Sequence, residues 1–166
     1  NAGTTVLNIR YPSWAKNGAS IKVNGKAINI ANGPGSYIAI SRKWKKDDKV
    51  EVNFPMALQA VATNDNPKKV AFTYGPIVLA GAMGTKDFIY KAPYSNPLLY
   101  NDYYTYNYNV PKDITQSLAL DVNNLHDAIK PVDGHILTFK TWKEGVVLKP
   151  LYDIHRERYV VYWDLK

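Results

Sequence analysis

Between Lys69 and Met83 the chain reads KVAFTYGPIVLAGAM, its longest apolar run, interrupted only by Thr73, Tyr74 and the Gly75–Pro76 pair. A continuous apolar run bounded by turn signals suits a strand covered on both faces better than one with a solvated side. Proline has no backbone donor and glycine invites a bulge or bend, so Gly75–Pro76 forbids a plain central strand. Two short segments are therefore expected, Val70 to Tyr74 and Ile77 to Ala82, meeting at a kink. This run is read as the core strand of a β-sandwich.

The segments before it alternate between apolar and polar residues and are punctuated by turns. Val6, Leu7 and Ile9 mark a strand from Thr4 to Arg10, which Pro12 ends. Asn24–Gly25 lies between Ile21–Lys22–Val23 and Ala27–Ile28–Asn29–Ile30, a strong short-range hairpin signal. Asn32–Gly33–Pro34–Gly35 forms the next turn, and Ser36 to Trp44 and Val50 to Phe54 alternate again. A further short strand is expected over 57–62. Short strands at this spacing predict an all-β fold, an antiparallel, jelly-roll-like sandwich with little helix. One or two helical turns are expected around Asn123 to Ile129, ending before Pro131.

With 166 residues the chain is long enough to bury a sizeable core, and its 46% hydrophobic content is ordinary for a globular protein. It has no cysteine, which excludes disulfides and thiolate metal sites. No apolar run is long enough for a membrane-spanning helix, so no membrane partner is expected. No signal-peptide pattern opens the chain, although a periplasmic or secreted parent could carry one upstream; the compartment is left open. The net charge of +7 is spread out apart from Arg42–Lys43–Trp44–Lys45–Lys46, which precedes Asp47–Asp48 and reads as a polar hairpin end. A nucleic-acid-binding β-domain would need the lysines gathered on one face beside stacking rings, and it ranks as the weakest function class.

Candidate chemistry is sparse. Glycoside hydrolysis needs two carboxyls about 5–9 Å apart. The pairs available are Asp47 with Asp48, Asp153 with Glu157, and Asp102 with Asp113. Sharing a strand face, Asp153 and Glu157 would stand about 13 Å apart, too far for a retaining pair. His126, His135 and His155 show no metal-ligand spacing, and His155 is expected as a packed or hydrogen-bonded strand residue. No nucleophile elbow and no phosphate-binding or dinucleotide glycine motif is present. No catalytic, metal or cofactor-binding residue is assigned. The chain itself is not expected to be an enzyme or to need a cofactor.

The most distinctive stretch holds seven of the thirteen tyrosines between Tyr90 and Tyr108. Amphipathic rings suit a sugar or a protein interface. Candidate carbohydrate or interface contacts are Trp14, Tyr94, Tyr100, Tyr103, Tyr104, Tyr106 and Trp142.

The order IRYPSWA (9–15), IKVNGK (21–26), GSYI (35–38), RKWKKDDKVEVNFPM (42–56) and VAFTYGPIVLAG (70–81) resembles a known pattern. It is similar to the β-sandwich following the catalytic barrel in bacterial glycoside hydrolases of the β-L-arabinofuranosidase type, family 127 and the related family 146. AIKPVDGHILTF (128–139) and LKPLYDIHRERYVVYW (148–163) resemble the C-terminal end of the longer members. The resemblance covers most of residues 5–83 and 120–166 and is weak from Gly84 to Leu118.

In that family catalysis is implied to use a cysteine nucleophile on zinc and a glutamate acid/base, all within an (α/α)6 barrel. Those positions have no counterpart in this chain. The resemblance thus implies a C-terminal fragment of a longer enzyme, an accessory domain whose partner is the barrel of the same parent chain. A plant-type polysaccharide or oligosaccharide is a further candidate partner, and an autonomous carbohydrate-binding module is the alternative. A single domain over 1–166 is expected, with 84–118 as a variable insertion and 148–166 returning to the sandwich. Tyr159 to Trp163 is expected to pair with Val6–Arg10 or Val70–Tyr74.

Overall fold

The computed structural model describes residues 3–86, 115–155 and 157–166. Among these the fold is all-β, strands joined by short turns with one four-residue helix. Contacts divide the chain into two compact units, one holding 1–58 with 74–76 and the other 59–73 with 77–166.

In the first unit, β1 (Thr5–Arg10) pairs antiparallel with β4 (Tyr37–Arg42), setting Leu7 opposite Ile40 and Ile9 opposite Ile38. A second sheet runs β3 (Lys26–Ala27), β2 (Ser20–Val23), β5 (Val50–Asn53). Alternation decides what is inside: Ile21 and Val23 are buried while Lys22 is exposed, and Ile38 and Ile40 are buried while Tyr37 and Ala39 are exposed. With Tyr11 and Ala15 they form the core, against which Ile9, Trp14, Trp44 and Phe54 pack. Each fully buried Ile or Val contributes about 1.5–3 kcal/mol relative to exposure.

The expected Asn24–Gly25 hairpin is present. Both residues take positive φ, 51° and 77°, as the mirror-image turn that matches strand twist requires. Asn24 also ties the hairpin to the β4–β5 connection. Its amide donates to Asp48 Oδ1 at 2.7 Å, and its Oδ1 accepts from the Lys49 amide at 2.8 Å. Asp48 further accepts from the Lys45 amide at 2.9 Å and lies 3.3 Å from the Arg42 guanidinium. These donors, the Asn24 amide foremost, hold the Asp48 carboxyl below the usual carboxylate range. The folded value is the lower one, so the carboxylate's contribution is complete above the ordinary range and is lost as pH falls through the folded value. The melting difference between the wild type and Asp48→Asn is therefore expected to shrink below about pH 4. A difference unchanged from pH 7 down to that region would place its origin elsewhere.

The second unit is built on a mixed sheet ordered β10 (Ile129–Pro131), β11 (Phe139–Thr141), β12 (Val147–Pro150), β8 (Ile77–Ala82), β7 (Lys69–Tyr74), β14 (Tyr162–Leu165), β9 (Ser117–Leu118). β6 (Leu58–Ala62) pairs with β7, and β13 (Tyr159–Val160) pairs with β8. The long apolar run thus supplies the two central strands. Gly75–Pro76 makes a tight two-residue turn between them, with Gly75 at φ 58°, so the chain reverses where a kink was expected. A Cβ on Gly75 would fall 2.6 Å from Met56 Cγ, a second reason for glycine there.

Val70, Phe72, Leu79, Leu118, Ile129, Phe139, Leu148 and Trp163 are buried in this unit. The tail pairs with the Val70–Tyr74 segment, Trp163 lying opposite Val70 and Tyr162 opposite Ala71. Tyr159 lies opposite Ala82 on the neighbouring strand. The Trp163 ring lies over Gly81, where a Cβ would be 2.4 Å from Cζ2 and 2.6 Å from Cη2. Among the described residues the buried Trp163 Nε1 has no hydrogen-bond partner, a desolvation cost of about 1–3 kcal/mol.

The tail also grips both flanks of the stretch outside the described residues. On one side the Met83 amide donates to the Arg158 carbonyl at 2.9 Å and the Arg158 amide to the Gly84 carbonyl at 3.0 Å, while the Arg158 guanidinium donates to the Lys86 carbonyl. On the other side β9 runs parallel to β14, Ser117 opposite Asp164.

Candidate functional site

Thr141 is buried at the end of β11, and its hydroxyl accepts from the Val146 amide at 3.0 Å. The Thr141 amide donates to the Val146 carbonyl at 2.9 Å, and the Gly145 amide donates to the Thr141 carbonyl at 3.0 Å. Gly145 closes the turn at φ 69°, a conformation that favours glycine. Residues 142–145 are thereby fixed as a tight loop between β11 and β12. Trp142 projects from it with 82% of its surface exposed, although its amide is bound to the Ala128 carbonyl at 2.8 Å.

That bond brings the loop beside residues 119–128. Asp121 accepts from the Asn123 amide at 2.9 Å and caps a 3-10 turn, Val122–Asn124, which passes directly into α1 (Leu125–Ala128). The expected helical turns lie here. Glu144 reaches across, its Oε1 accepting from the Ala119 amide at 2.8 Å. Between loop and helix lies a cleft of about 310 Å³, whose polar lining is Asp121, Asn124, Asp127, Trp142, Lys143 and Glu144. Asn124 donates to Asp127 Oδ2 at 2.6 Å, and Lys130 lies 3.5 Å from Oδ1. The Asn124 amide first, then Lys130, hold the Asp127 carboxyl below its usual range, so it is an acceptor at neutral pH.

Of the aromatic residues singled out in the sequence, Trp142 stands open at this cleft. Trp14 is half-buried in the first unit, edge-on to Phe54 with centroids 6.2 Å apart. Tyr94, Tyr100, Tyr103, Tyr104 and Tyr106 lie outside the described residues, as do Asp102 and Asp113. Trp44 packs on the first unit's core, donates to the Thr5 carbonyl at 3.1 Å and carries the Arg42 guanidinium 5.1 Å from its ring centroid.

The carboxylate candidates go elsewhere. Asp48 is engaged in its turn, as described above. Asp153 and Glu157 do not share a strand, because Asp153 ends a 3-10 turn and Glu157 lies in a bend, ion-paired with Lys149. Pro150, at the start of that turn, cannot donate to a continuing ladder. His155 is exposed and outside any strand, not packed as expected. Among the described residues no three His, Asp or Glu side chains are grouped to hold a metal ion, and no helix is long and apolar enough to cross a membrane. The cleft's acidic and amide residues, Asp121, Asn124, Asp127 and Glu144, had no sequence signal beyond turn-forming composition.

Comparison with known proteins bears on the fold around this cleft. Residues 1–56 match the family model described as Beta-L-arabinofuranosidase, GH127 middle domain. This match falls within the first compact unit. No curated protein sequence matches the chain. Among solved structures, one named a glycoside hydrolase is similar over 99% of this chain with a TM-score of 0.61 and 18% identity. A GH127 beta-arabinofuranosidase matches over 99% with a TM-score of 0.58 and 19% identity. A GH127 beta-L-arabinofuranosidase from Geobacillus stearothermophilus T6 matches over 99% with a TM-score of 0.55 and 18% identity. The chain spans 28%, 28% and 27% of the length of these three proteins, respectively. The resemblance seen in the sequence is therefore present in the family model and in the fold.

Proposed function

We propose that this chain is a non-catalytic accessory β-domain of a β-L-arabinofuranosidase-type glycoside hydrolase, supporting and docking an (α/α)6 barrel encoded elsewhere in the parent chain. One observation carries the reading: nearly the whole chain aligns with little more than a quarter of each solved enzyme, and its first third matches a model described as a middle domain. A domain of that kind contributes surface and rigidity, while the chemistry belongs to the larger remainder.

The expected result is that the purified chain hydrolyses no aryl β-L-arabinofuranoside above the blank rate, with or without added zinc. Zinc-dependent turnover that survives repurification would overturn the accessory reading. The exposed Trp142 favours a second reading, an autonomous carbohydrate-binding module. Micromolar affinity for arabinan oligosaccharides by calorimetry would promote that module over the accessory role.

A further inference from the structure

We infer that the Trp142 cleft is a weak subsite for a neutral sugar ring. The inference goes beyond the accessory role, since the subsite can exist whether or not the chain supports a barrel.

Three features point to this ligand class. The first is the exposed indole itself. An apolar side chain as large as Trp142, 82% exposed on a turn whose backbone is fixed by its own hydrogen bonds, offers a flat face at a defined place beside the cleft. The C–H face of a furanose or pyranose gains dispersion contacts against such a ring. The second is size, because about 310 Å³ lies at the lower end of small-ligand clefts, about 300–1,000 Å³.

The third is the pattern of polar groups. Glu144 Oε1 and Asp121 Oδ1 are committed to backbone amides. Those bonds orient the carboxylates and leave Oε2 and Oδ2 without a hydrogen-bond partner among the described residues. Ionised carboxylates accept only, so each can receive a ligand hydroxyl, while the Lys143 ammonium can donate to one.

A cationic ligand is the other common occupant of an aromatic site. Three lining carboxylates, Asp121, Asp127 and Glu144, stand against two ammonium groups, Lys143 in the lining and Lys130 beside Asp127, a net charge of −1. A cation would use only that single net charge at an open, salt-screened site, whereas a neutral polyol uses acceptors and donors alike.

The test is titration of the ¹⁵N-labelled chain with L-arabinose, D-galactose and arabino-oligosaccharides, with choline as a cation control. Shifts are expected at the Trp142 indole and the Glu144 amide, with Kd on the order of 1–10 mM for at least one sugar. Trp142→Ala should weaken binding by about tenfold or more, equivalent to about 1.4 kcal/mol or more, without moving the melting temperature, because the ring is largely exposed. Trp142→Phe should restore part of the affinity. Glu144→Gln, which keeps an acceptor for the Ala119 amide, should weaken binding less than Trp142→Ala.

Sugar shifts insensitive to Trp142→Ala, or none at about 50 mM (well above such a Kd), would overturn the subsite. Trp142-dependent binding of choline alone would overturn the ligand class. Neither outcome bears on turnover by the chain, so failure here is distinguishable from failure of the accessory reading.

Discussion

Deleting residues 158–166 is expected to unfold the mixed sheet outright. The loss of β13 and β14 strips partners from β8, β7 and β9 together. It also removes Trp163, the largest fully buried side chain among the described residues, with the bonds from the Leu165 amide to the Lys68 carbonyl and the Lys166 amide to the Leu118 carbonyl. Small domains are stable by only about 5–15 kcal/mol, and burial of one tryptophan contributes a large fraction of that. Circular dichroism and thermal melting of the truncated chain should show loss of strand signal and of its cooperative transition. A melt within a few degrees of the full-length chain would show the tail to be dispensable.

Trp163→Ala is expected to cost about 3–5 kcal/mol, the usual range for emptying a buried aromatic site. Its coupling to Gly81 is the sharper measurement. A Cβ at Gly81 would lie 2.4 Å from the indole, so Gly81→Ala should destabilise the wild type by about 1–3 kcal/mol through overpacking. In the Trp163→Ala background the indole clash is gone, leaving only the Met83 methyl 2.8 Å from that Cβ, the end of a flexible side chain that can turn away into the vacated space, and Gly81→Ala should cost little. The double-mutant cycle by denaturant unfolding therefore predicts a coupling of about 1–3 kcal/mol. Additive costs would show that the ring and the glycine do not constrain one another.

Alternation and turn chemistry made the strands of the first unit legible, because each depends on neighbours within a few residues. Asn24–Gly25 is the clearest case: both residues tolerate positive φ, and both adopt it. Gly75–Pro76 was legible as an interruption only. Whether such a pair kinks or reverses the chain depends on Gly75 taking φ 58° and on the strands it then sets side by side. The parallel pairing of Ser117 with Asp164 joins residues far apart in the sequence through a two-residue strand, too short to show a period.

The cleft was half legible. Trp142 stands out as an aromatic residue in a turn-like T-W-K-E-G. Asp121 and Glu144 gain meaning only once the Trp142 amide binds the Ala128 carbonyl and brings loop and helix together.

The two grips of the tail on the flanks of residues 87–114 have a consequence for how such a chain can diversify. Met83–Gly84 and Ser117 are held by residues only a few positions apart, Arg158 at one end and Asp164 at the other. The C-terminal strands thus hold both flanks through their own backbone hydrogen bonds. For any flexible linker between two fixed ends, closure entropy grows only logarithmically, about 0.6 kcal/mol for each doubling of length. Because both flanks are held by the tail, replacing the bridge by one of another length is expected to move the melting temperature of the sheet by no more than a few degrees, the property that lets a scaffold take on a new contact without being rebuilt.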